Sequence, residues 1–115
     1  LWIENGKIVK FEADTGKDYL EAMFNMDEGS KGIGEIEIGT NDEIQEITVN
    51  ILFDEKIGGS IHMAVGASYP ETGGKNVSGL HWDMIKNMKP KADGSCGGKI
   101  YADDKLIYEN GKFII

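Results

Sequence analysis

GGSIHMAVGASYPETGGKNVSGLHWDM, residues 58–84, decides the reading of this 115-residue chain. It carries the only two histidines, His62 and His81, each in a short apolar run approached through glycine. Short apolar runs bounded by Gly, Pro, Asn and Ser read as strands. The stretch therefore predicts one strand over 60–66 and another containing His81, joined by a polar, glycine-rich loop at 70–79. Alternate strand residues face the same way. His81-Trp82-Asp83 would thus aim an imidazole and a carboxylate at one side while the indole packs on the other, which is the edge of a metal site.

Outward from this stretch the pattern stays β-rich. LWIENGKIVKFEA (1–13) places Asn5-Gly6 between apolar runs, a strong hairpin signal, and the same chemistry returns in YENGKFII (108–115). Tyr19, Leu20, Met23 and Phe24 recur at helical spacing between Thr15 and Asp27, and Thr15 followed by Asp18 resembles a capping pattern. GIGEIEIGT (32–40) predicts a half-buried strand with a bulge near Gly34, and ITVNILF (47–53) predicts a further strand. Asp54-Glu55-Lys56 would then start a turn or short helix. GKIYADDKLIYENGKFII (98–115) predicts three short strands joined by Asp-Asp and Asn-Gly turns. The expected class is α+β, mainly antiparallel sheet with about one amphipathic helix, in a single domain over residues 1–115. Leu1-Trp2-Ile3 reads as the middle of a strand, so a fragment of a longer protein is expected.

Composition narrows the partners. The formal net charge is −8 and all twelve basic residues are lysines, with no arginine fork for phosphate or carboxylate. Lys86, Lys89 and Lys91 form a solvated loop rather than a basic stripe, which argues against nucleic acid. No apolar run is long enough to span a membrane as a helix. The lone Cys96, in DGSCGG, has no internal partner and suits a reducing cytoplasm. Glycine pairs at 58–59, 73–74 and 97–98 lack the strand-to-helix context of a phosphate loop.

Glu35, Glu55, His62, His81 and Asp83, with Tyr69 nearby, make a mixed oxygen and nitrogen donor set suited to zinc, cobalt, manganese or iron. Each residue also has a plainer role. A histidine in an apolar strand can be a satisfied core residue, Glu35 and Glu37 can form a solvent-facing row, and Asp54-Glu55 can cap a turn. Convergence of both histidines, a near-adjacent aspartate and further polar residues beside glycine turns favours the metal reading.

GEIEIGTN, NILFDEKIGGSIHMAVGASYPETGG, SGLHWDM and the GKIYADDKLIYENGKF tail together resemble the C-terminal part of the thermophilic-type metalloaminopeptidases, the aminopeptidase T, aminopeptidase S and leucyl aminopeptidase-like family. The resemblance implies a C-terminal catalytic-domain fragment, two divalent metal ions, zinc, cobalt or manganese, and hydrolysis of the N-terminal residue of peptides by a metal-activated water. It also implies a homodimer. Carried over by motif, it makes Glu35, Glu55, His62, His81 and Asp83 metal ligands and Glu35 and Tyr69 catalytic, with Glu55 a further candidate for the general base. The family pattern includes another glutamate in a PTEE-like phrase that does not occur in these 115 residues, so the chain alone is expected to be inactive or nearly so. Two other readings compete. One is a mononuclear iron ring-cleaving dioxygenase of similar fold; the other is an inert structural or dimerisation fragment.

Overall fold

A computed structural model describes residues 1–115. In chain order the elements are β1 (Trp2–Glu4), β2 (Lys7–Lys10), α1 (Lys17–Phe24), β3 (Ile33–Ile38), α2 (Ile51–Asp54), β4 (Ser60–Gly66), a single 3₁₀ turn (Pro70–Thr72), β5 (His81–Asn87), β6 (Lys99–Ala102), β7 (Lys105–Glu109) and β8 (Lys112–Phe113). The class is α+β, with one helix of more than a single turn. The strands form a β1-β2 pair, a β3-β4-β5 sheet and a β6-β7-β8 sheet. The chain divides into two compact units, residues 1–36 with 63–84 and residues 37–62 with 85–115.

In the first unit, Asn5 and Gly6 both take positive φ, 50° and 73°, the backbone that a tight hairpin needs for its twist to match the strands. The hairpin pairs antiparallel, with Ile3 opposite Ile8 and Glu4 opposite Lys7. Helix α1 is not capped by Thr15. Gly16, left-handed at φ 67°, holds the cap position without a side-chain bond, so the threonine lies one residue too early to reach the free N–H groups. The apolar face of α1 supplies Phe24, which is buried with Ile8, Val65 and Leu80, while Phe11, Leu20, Met23, Ile33, Trp82 and Met84 pack around them. Phe24 meets Phe11 edge to face at 5.1 Å. Burying such a ring contributes about 1.5–3 kcal/mol. Both tryptophans, Trp2 and Trp82, belong to this unit.

In the second unit, the strand expected over 47–53 does not form. Thr48 donates its main-chain N–H and its hydroxyl to Asp54 Oδ1, both at 2.7 Å, and Asn50 Oδ1 accepts from Leu52 N at 3.1 Å, capping α2. These local side-chain bonds offer the backbone an alternative to a ladder and win against β-propensity. Ile47, Val49, Leu52 and Phe53 are left exposed. The C-terminal meander forms as expected. Ala102 pairs with Lys105 across an Asp103-Asp104 turn with φ 47° and 64°, and Asn110-Gly111 turns β7 into β8 at φ 54° and 82°. Tyr108 on β7 is buried against Phe113 on β8, their rings edge to face at 5.0 Å.

Candidate metal centre

Four of the expected site residues meet within the first unit. β5 begins with His81, and its alternation puts Asp83 on the same side, with His81 Nε2 3.3 Å from Asp83 Oδ1. Trp82 faces the other way, into the core, edge to face with Tyr19 at 5.8 Å. β3 brings Glu35, whose Oε2 lies 3.8 Å from the same Nε2. Glu35, His81 and Asp83 offer ligand atoms that all lie within 4.8 Å of one another. Tyr69 sets its ring edge to face against His81, 5.2 Å between centroids, and is half exposed.

One contact selects the tautomer of the His81 ring. Its Nδ1 lies 2.8 Å from the carbonyl oxygen of Ala67. A carbonyl can only accept, so Nδ1 carries a proton, and in the neutral ring Nε2 then turns its lone pair toward the two carboxylates. Ligands bound at roughly 2.0–2.2 Å in a tetrahedron stand about 3.4 Å apart. The donor separations of 3.3 and 3.8 Å bracket that figure. Donor type, tautomer and spacing therefore fit a divalent ion.

The approach of β3 to this loop depends on Gly34. A Cβ there would stand 2.2 Å from the carbonyl oxygen of Ala67 and 2.9 Å from that of Gly66, closer than side-chain carbons come to oxygen. Only glycine lets Glu35 and the loop carrying the histidine's acceptor lie this close.

The other two expected ligands meet within the second unit. His62, buried on β4, has Nδ1 3.7 Å from Glu55 Oε2. Glu55 follows α2 as its C-cap, and its other oxygen lies 2.8 Å from Lys56 Nζ. Lys56 also contacts Glu37 Oε1 at 2.9 Å, and the two carboxylates, Glu37 first, hold its ammonium above the ordinary lysine range. Glu37, which sequence reading set aside as a solvent-facing residue, can bring a carboxylate oxygen within 4.8 Å of a His62 nitrogen. Its alternation with Glu35 was the available signal. Asp54 accepts from Thr48 rather than capping the next turn, and these bonds hold its carboxyl below the usual range. A cavity of about 410 Å³ in this unit, bounded in part by Asp42, Lys89, Tyr108 and Lys112, contains none of the expected ligands.

The family model for thermophilic metalloproteases (M29) matches residues 1–113. Aminopeptidase AmpS of Bacillus subtilis (strain 168) is 38% identical over 84 residues, 68% of this chain and 20% of that protein. Aminopeptidase 2 of Geobacillus stearothermophilus is 28% identical over 74 residues, 61% of this chain and 17% of that protein. The matched stretch is thus about a fifth of the length of these curated relatives.

Proposed function

The chain belongs to the thermophilic metalloprotease (M29) family, and on that ground we propose that it is the metal-holding part of an aminopeptidase, releasing N-terminal residues from peptides with a metal-activated water. The observation that carries this reading is the cluster of Glu35, His81 and Asp83, with the His81 proton tied to Ala67 and Nε2 left facing the carboxylates. In this reading Glu35, His81 and Asp83 hold one divalent ion, and Glu55 with His62 hold a second. Zinc, cobalt and manganese all suit such oxygen and nitrogen donors. When bound, an ion of this kind acidifies a water toward neutral pH and polarises a carbonyl.

The chain's own groups then do the orienting and the proton work. Tyr69, packed on His81 with half its surface open, would donate its hydroxyl to the scissile carbonyl oxygen. Glu35 acts at the ion as a ligand, and Glu55, kept close to the Lys56 ammonium, is the candidate proton acceptor where it is not itself consumed as a ligand. The two curated relatives named as aminopeptidases support peptides as the substrate class. The homodimer and the cytoplasmic setting remain part of the proposal, the latter supported by an exposed free Cys96. The 115 residues by themselves are proposed to be inactive or nearly so.

The test is zinc or cobalt binding after chelation, in wild type and in His81→Ala, alongside release of the first residue from a free tripeptide and its N-acetylated twin. We expect the variant to lose bound metal and any activity together, with cleavage confined to the free peptide. Unchanged metal stoichiometry in His81→Ala sinks the assignment. Cleavage of the N-acetylated twin as readily as the free peptide overturns the restriction to N-termini.

A further inference from the structure

The carbonyl of Ala67, which fixes the proton of His81, belongs to the short segment Gly66-Ala67-Ser68-Tyr69. That segment is held largely by one residue ten positions from Gly66. Asn76 Nδ2 donates to the carbonyl of Gly66 at 2.6 Å and to that of Gly29 at 2.8 Å, using both amide hydrogens. The main-chain N–H of Asn76 donates to Ser68 Oγ at 2.9 Å, and its carbonyl accepts from Ser68 N at 3.0 Å and Ser68 Oγ at 3.1 Å.

Peptide planarity turns these bonds into an aiming device. The Gly66 carbonyl and the Ala67 N–H share one plane, the first held by the Asn76 side chain and the second by the Leu80 carbonyl at 2.6 Å. The Ala67 carbonyl and the Ser68 N–H share the next plane and point in opposite directions across a trans bond. The main-chain carbonyl of Asn76 holds the Ser68 N–H, so the Ala67 oxygen is directed away from Asn76 and onto His81 Nδ1, while the Asn76 side chain fixes the preceding plane through the Gly66 carbonyl. All of these groups lie within the first unit.

We propose that Asn76 is a positioning residue for the metal centre: it aims the Ala67 carbonyl, which selects the His81 tautomer whose Nε2 can ligate. The inference deepens the metal-dependent reading above and rests on it for its functional meaning. Groups that orient a ligating histidine typically tune metal affinity 10–100-fold. Acting one step further out, Asn76 is expected to sit at the low end.

The experiment uses the full chain labelled with ¹⁵N-histidine, free of metal, at alkaline pH. Only two ring systems are observed, and His62, in the other unit, serves as the internal reference. Wild type is expected to show His81 as the Nδ1–H form. Asn76→Ala is expected to convert His81 to a mixture containing the Nε2–H form, to leave His62 unchanged, and to weaken the zinc Kd about tenfold. A merely structural role would not select one tautomer on one histidine. An Asn76→Ala protein whose His81 keeps the wild-type tautomer overturns the inference, as does a wild type already in the Nε2–H form. If the variant lacks the wild-type far-UV spectrum, Ser68→Ala removes only the Oγ bonds. That variant is expected to move His81 the same way by less, and an unchanged ring there also overturns the inference. A wild type that binds no zinc, yet shows the tautomer shift on Asn76→Ala, supports the positioning of His81 while overturning the metal reading.

Discussion

Gly34 shows how a residue with no side chain can be part of a site. A methyl group there must displace the Ala67 carbonyl or push β3 back, so Gly34→Ala is expected to cost roughly 1–3 kcal/mol of stability. It should also weaken zinc binding, because the carbonyl that orients His81 is the group displaced. Urea midpoints and a zinc titration on the same variant check both. Asp27 offers a test of pH dependence at the same scale. Its carboxylate accepts from Gly79 N at 2.7 Å, Ser78 Oγ, Ser30 Oγ and Gly29 N, and these bonds, Gly79 first, lower its pKa below the ordinary 3.8. A folded-state pKa depressed in this way adds stability above the unfolded value, and that stability is lost as pH falls through the folded value. Asp27→Asn should therefore be less stable than wild type at pH 7. The gap should narrow on acidification below 3.8, as read from denaturant midpoints at each pH.

At the scale of elements, what was legible in the sequence is what is decided locally. The Asn5-Gly6, Asp103-Asp104 and Asn110-Gly111 turns announce their hairpins because positive φ at two successive residues is a property of those residues themselves. Residues 47–53 misled for an equally local reason: Thr48, Asn50 and Asp54 bond one another, and β-propensity yields. The Asp103-Asp104 turn holds two non-glycine residues at φ 47° and 64°. Asp104→Gly removes the Cβ strain and one of two adjacent charges, so it is expected to stabilise the chain by about 0.5–1 kcal/mol. Thermal unfolding of the variant beside wild type measures the gain. A loss would show that the aspartate side chain contributes more to the turn than its strain costs.

At the scale of the molecule, the donor residues could be read as types, but their grouping could not. Glu35 and His81 stand far apart in sequence, and only the fold, anticipated through a family resemblance, brings the two together. The Ala67 carbonyl was invisible to sequence reading, since every residue carries such a group. Asn76 was hidden in a loop whose composition announced only a turn. The division of the chain has a consequence of its own. Trp2 and Trp82 both fall in residues 1–36 and 63–84, whereas residues 37–62 and 85–115 contain tyrosine but no tryptophan. Excitation at the red edge of the absorption band thus watches one unit alone, while circular dichroism watches both. The chain passes from one unit to the other inside β3, β4 and β5, at Ile36, His62 and Met84, without a linker. The two signals are accordingly expected to trace a single coincident melting curve. An emission change that precedes or trails the ellipticity would reveal two melting bodies, and the indoles would tell which gives way first.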